Sequence, residues 1–210
     1  MESKQRERRT ELVEWLAQYA VEMLQGEATT CLDPQELLSA ANDWVAIAFE
    51  ARLARKSEET DRCSIAQASI LAAHMCLSPQ AGGQGLLYTF GYTMPCAEAI
   101  IEQLASLGVL ITDIRYSANS RVAKWRKVRL QEQLGGYYLH LQALGNVNYN
   151  RPGGIQLYQP EIGVDLAGER LQQGQHLAFM CVCRELDGCH REVAAQRMLE
   201  QFPTLRVVHL

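Results

Sequence analysis

From residue 86 onward, short apolar runs alternate with amphipathic stretches of helical length. This alternation constrains the fold more than any other feature of the chain. Residues 86–90, 109–114, 137–141, 176–182 and 205–209 read as strands. Residues 97–107, 127–134, 162–173 and 189–201 read as helices, with Asp165 and Glu169 on the polar side of the third. Residues 146–154 form a loop rich in Asn, Gly and Pro. Strands alternating with helices demand right-handed crossovers and a mostly parallel sheet covered on both faces. The expected fold is therefore α/β: a Rossmann-like, mostly parallel sheet of about five strands with flanking helices over residues 85–210.

The segment before it has a different texture. Residues 1–80 read as an all-α N-terminal region. A first helix carries Leu12, Trp15, Leu16, Tyr19 and Met23 at helical spacing, and a second starts at Asp33-Pro34 with Glu36 three residues after the cap. A third covers residues 64–76. Residues 78–85, SPQAGGQG, have linker chemistry and mark the boundary. Apolar helix stripes need cover. The ordinary reading is a small bundle; the sharper one is a surface for self-association or for a protein partner.

Bulk properties narrow the partners. A net charge of −4 gives no support to strong non-specific nucleic-acid binding, although a local basic patch remains compatible with it. No run approaches the roughly 20 apolar residues that a membrane span needs. The opening MESKQRERRTE lacks an apolar signal region. Seven cysteines, an odd count, in such a chain predict a cytoplasmic protein with free thiols.

In parallel sheets ligands collect beyond the carboxyl ends of the strands. That rule selects Gly91 and Tyr92 after the first strand, and Asp113, Arg115, Ser117, Ser120 and Arg121 after the second. It selects His140, Gly145 and Asn146 after the third, and residues 183–191 after the fourth. The last group matters most. Cys189, His190 and Arg191 sit where a helix begins, and a helix N-terminus offers unpaired N–H groups and partial positive charge. Arg191 adds a planar fork of donors for phosphate or carboxylate. Cys189 at this position would have a lowered pKa and could act as a nucleophile.

Other constellations carry less. Cys181, Cys183, Cys189 and His190 invite a zinc reading, but C-x-C followed by C-H departs from paired C-x₂₋₄-C knuckles, so no metal is assigned. Cys181 reads as a buried core thiol. The run Lys124, Trp125, Arg126, Lys127 could grip phosphates and stack a base, or could place Trp125 in the core. His140 is a single titratable group at a strand end. The dinucleotide, P-loop and nucleophile-elbow motifs are absent, and the sequence names no cofactor.

Four ordered segments match one pattern: Thr89-Phe90-Gly91-Tyr92-Thr93; Asp113-Ile114-Arg115 with Ser120-Arg121; Tyr138-Leu139-His140-Leu141 with Leu144-Gly145; and Cys181 with Cys189-His190-Arg191. Over residues 86–209 the chain thus resembles the prokaryotic domain-of-unknown-function family four-eight-eight. That family opens on T-I-G-[YH]-S and continues through D-V-R, S-R and aromatic-x-H-L to C-H-R. Two positions depart from it: Ala118 stands where a proline is common, and Cys183 where an acidic residue is common, with Glu185 nearby. The resemblance implies that these polar residues form a recurring group.

The functional expectation is a domain binding a phosphorylated nucleotide or nucleic-acid-related ligand at the carboxyl edge of its sheet, with hydrolase- or transferase-type chemistry as an extension. Arg115, Arg121 and Arg191 would hold the anion, beside Gly91, Tyr92 and Ser120. Asp113 would orient a hydroxyl or water, and His140 or His190 would move a proton. Two alternatives stand beside it. One is a cysteine-dependent enzyme with Cys189 as nucleophile. The other is a non-enzymatic adaptor in nucleic-acid processing or phage defence.

Overall fold

The computed structural model describes residues 83–149 and 153–210, with scattered positions between 63 and 77. The chain divides into two compact units, Met1–Ser78 and Pro79–Leu210. In the first, Cys63, Ala66, Gln67, Ile70, Leu71, Ala73, His74 and Leu77 are helical, and Ile70, Ala73 and Leu77 recur at helical spacing as its buried stripe. The two earlier helices, and the partner surface expected on them, lie outside the described residues. Among the described residues no helix is long and apolar enough to cross a membrane.

The second unit is a five-stranded, all-parallel sheet with flanking helices, Rossmann-like as expected. Its strands are β1 (Leu87–Gly91), β2 (Leu110–Asp113), β3 (Tyr138–His140), β4 (Leu177–Cys181) and β5 (Val207–His209), in the order β3-β2-β4-β1-β5. The helices are α1 (Ala97–Ser106), α2 (Lys127–Leu134), α3 (Pro160–Gln172) and α4 (His190–Gln201). β1 and β4 are wholly buried, which is why they read as continuous apolar runs rather than alternating ones. The helix α3 starts two residues before its apolar pattern does. Pro160 takes the first turn, where its fixed φ and missing N–H cost nothing.

Alternation along each strand splits the core in two. Leu177, Phe179 and Cys181 face α3 and α4, packing with Val164, Ala167, Leu171, Ala194 and Met198. Tyr88, Phe90 and Ile111 take the other face, where α1 runs along β2 and buries Ile100, Ile101 and Leu104. The strand order sets up the site. β4 follows β3 in the chain yet lies between β2 and β1, so its carboxyl end occupies the middle of the edge where ligands collect.

Candidate functional site

Register aligns the strand ends. Gly91 pairs with Cys181, Asp113 with Met180 on one side and with His140 on the other. The sequence-selected residues do converge on one edge, in two clusters joined where His190 Nε2 donates to Ile114 O at 3.2 Å.

The first cluster centres on Asp113, which is 0% exposed. Its carboxylate accepts from Arg115 Nε at 2.7 Å, from Arg115 Nη2, and from Tyr138 OH at 2.7 Å. Burial, then the charge of Asp113 and the hydrogen bond to it, push the Tyr138 phenol far above its ordinary range, so it stays a neutral donor. Burial opposes charge on Arg115, but the hydrogen bond and charge of Asp113 outweigh it and hold the guanidinium protonated. That guanidinium lies 5.1 Å over the Tyr92 ring, which stacks on Trp125 at 5.0 Å. Tyr92 OH donates to Ser120 Oγ at 3.3 Å. His140 Nε2 donates to Arg115 O at 2.9 Å.

This geometry revises the role expected of Arg115 and Asp113 and decides between the two readings of Trp125. Arg115 is only 3% exposed and bidentate on Asp113, so neither is free to hold an anion or orient a water. Trp125 is buried in the wall behind Tyr92 and offers no stacking face, whereas Arg121 is exposed.

The second cluster lies where β4 passes into α4. Cys189 is the N-cap of α4 in extended conformation, and its Sγ accepts from Arg191 N at 3.5 Å. Cys181 Sγ lies 3.2 Å from Cys189 Sγ, and the sulfurs of Cys181, Cys183 and Cys189 all lie within 4.8 Å of one another. The C-x-C…C-H spacing thus brings the thiols together by a strand end and a helix cap instead of paired knuckles. His190 Nδ1 stands 4.0 Å from Cys189 Sγ. Arg191 runs beneath them: Nη1 donates to Cys183 O at 2.6 Å and to Cys181 Sγ at 3.5 Å, and Nη2 to Arg184 O at 3.1 Å.

Here too the roles shift. Arg191 is 1% exposed and tied to backbone carbonyls, so it is not an open anion fork. Cys189 is 1% exposed and closed to a substrate, while Cys183 is exposed. Hydrogen bonds from Cys181, Cys189 and His190 hold the Cys183 thiol far below its usual range. Hydrogen bonds to Cys183 and Cys189, with burial, push Cys181 far above it. Burial works to lower the His190 pKa, but hydrogen bonds and charge from the Cys183 and Cys189 sulfurs prevail and raise it to about 9. Gly91 is not a ligand loop residue. It is the last residue of β1, and a Cβ there would fall 1.6 Å from Cys183 O. The free-thiol expectation holds for Cys181, Cys183 and Cys189 but not for Cys63, which is disulfide-bonded, nor for Cys96, which is also in a disulfide.

An open cleft of about 730 Å³ lies beyond the carboxyl ends of β2 and β3. Tyr116, Ser117, Asn119 and His140 line it with Arg126, Lys127 and Arg129 of the basic run and α2. The sequence signalled Arg126 and Lys127 through that run; Arg129 carried no signal except its position one turn further along the same helix. Compared with protein families, with curated proteins and with solved structures, the chain matches none.

Proposed function

We propose that the α/β unit binds a phosphorylated ligand of the nucleotide or nucleic-acid class in the cleft beyond β2 and β3. One observation carries this reading: the cleft sits at the carboxyl edge of a parallel sheet, and Arg126, Lys127 and Arg129 put cationic side chains on its wall. Glu132 partly offsets them, pairing with Arg129 at 2.7 Å, so Arg126 and Lys127 are the main anion holders. Ser117 and Asn119 supply neutral hydrogen-bonding groups. His140 donates Nε2–H to Arg115 O, which leaves Nδ1 with its lone pair for hydrolase- or transferase-type proton transfer.

Thermal unfolding checks the reading with inorganic phosphate, mononucleotides and short oligonucleotides. At ligand about 100-fold over Kd the unit gains ~2.7 kcal/mol, a rise of several degrees in Tm. Arg126→Ala/Lys127→Ala removes most of that rise. No stabilisation at millimolar ligand, or the same stabilisation in the double variant, overturns the reading.

A second reading, thiol chemistry, is favoured by the exposed Cys183 thiol, which its hydrogen bonds to Cys181, Cys189 and His190 hold below the usual range, and moves the nucleophile from Cys189 to Cys183. In reduced, chelator-treated protein, iodoacetamide modifies Cys183 ahead of Cys189. The Cys183 rate rises less steeply between about pH 6 and pH 9 than that of an ordinary thiol, which gains about tenfold per unit up to its pKa near ~8.5. A Cys183 rate that climbs like a free thiol, or preferential labelling of Cys189, removes this reading.

A further inference from the structure

We infer that Cys181, Cys183 and Cys189, with His190 as fourth ligand, form a tetrahedral zinc(II) site that clamps the end of β4 to the start of α4. The site is separate from the cleft and does not depend on what binds there.

The donor set comes first. The three sulfurs lie within 4.8 Å of one another, with Cys181 and Cys189 at 3.2 Å. A tetrahedral ion with bonds of ~2.3 Å to sulfur needs sulfur–sulfur edges of ~3.8 Å, inside the span seen here. His190 follows Cys189 directly. Its Nε2 donates to Ile114 O at 3.2 Å, which fixes the proton on that nitrogen and leaves Nδ1, 4.0 Å from Cys189 Sγ, free to ligate. A ligating imidazole whose other N–H is held by a backbone carbonyl is the usual outer-shell arrangement of a metal site. Thiolate and imidazole together suit zinc among divalent ions, and four protein ligands make a closed, structural centre.

Charge supplies the second, independent argument. Arg191 is buried at 1% exposure, its Nε has no partner, and it makes no ion pair among the described residues. Its partners are carbonyl oxygens and the Cys181 sulfur. A buried cation without a counter-charge is costly. Three thiolates, a neutral imidazole and a divalent ion leave a single net negative charge beside it. Arg191 Nη1 donates to Cys181 Sγ, Arg191 N donates to Cys189 Sγ, and the positive end of α4 faces the same cluster. These surroundings suit a negative metal–thiolate group better than three neutral thiols. Binding forms three sulfur–metal bonds and one nitrogen–metal bond and releases the protons that the thiols and His190 still hold. No electron moves.

The test uses the full chain, reduced and stripped with a chelator, then titrated with Co²⁺ and back-titrated with Zn²⁺. A single equivalent of Co²⁺ gives sulfur-to-cobalt charge-transfer absorption and intense visible bands of tetrahedral geometry, and Zn²⁺ abolishes both. Cys183→Ser, at an exposed position, lowers the charge-transfer intensity and weakens binding by about tenfold or more. His190→Gln keeps the sulfur absorption and changes the visible bands. Arg126→Ala/Lys127→Ala leaves the titration unchanged. A reduced chain in which Cys181, Cys183 and Cys189 all react as free thiols and no cobalt spectrum appears overturns the site. So does an unchanged spectrum and affinity in Cys183→Ser, or a Cys181–Cys189 disulfide in protein isolated without metal under reducing conditions.

Discussion

Asp113→Asn lowers the stability of the α/β unit by about 3–5 kcal/mol, the range for breaking a buried pair from one side. The cost arises mainly at Arg115. Its guanidinium is 3% exposed and, among the described residues, has the Asp113 carboxylate as its only ionic partner and leaves Nη1 without a hydrogen bond. Removing the charge strands a cation where water does not reach. Tyr138 also exchanges a charged acceptor for a weaker one. Urea unfolding followed by circular dichroism measures the shift. Asp113→Leu/Arg115→Met recovers much of the loss, since replacing both partners by apolar groups of similar size is often neutral. A loss below about 1 kcal/mol in Asp113→Asn is the value expected of an exposed pair, and it would show that water enters this cluster.

Gly91→Ala has an effect of the same order for a steric reason. The added methyl would lie 1.6 Å from Cys183 O, 2.6 Å from Cys183 C and 2.5 Å from Arg191 Nη1. A flexible side chain could yield, but a backbone carbonyl moves only with its loop. That loop is held by Arg191 through Cys183 O and Arg184 O. Overpacking a tight core costs about 1–3 kcal/mol, and here the hydrogen bonds of a buried arginine are lost as well, so the total reaches about 4 kcal/mol or more. The same unfolding experiment reads it. The cobalt absorption proposed for the thiol cluster falls in parallel, because the methyl enters the space beneath Cys183. A stable Gly91→Ala chain with unaltered Arg191 contacts would mean that residues 183–184 do not close over β1.

Most of the α/β unit was legible in the sequence because its elements are defined locally. Apolar runs and helical periodicity located all five strands and four helices to within about two residues, the usual margin at element ends. The α3 start shows the limit, since Pro160 carries a capping signal and no apolar period. Strand order was not legible: nothing local says that β4 enters between β1 and β2. The edge rule found the right neighbourhood, but it does not say which way a long side chain turns. Arg115 and Arg191 follow strand ends and look like anion forks, yet each bends inward to satisfy a carboxylate or a carbonyl. The thiol cluster was noticed but set aside for a related reason. Spacing templates encode ligands on tight knuckles, whereas Cys181 and Cys189 meet because a strand end and a helix cap abut.

The late insertion of β4 also governs how the unit can assemble. β1 and β2 share no edge; each pairs with β4. Leu86, just ahead of β1, bonds His176 across a separation of 90 residues, and Thr89 bonds His209 across 120. The first two strands therefore have no common partner until most of the chain is available. Closing such long loops costs entropy before any pairing repays it, which slows folding and leaves strand edges open in the meantime. On the ribosome the wait is literal, for β1 emerges with α1 and must remain unpaired until β4 has been synthesised.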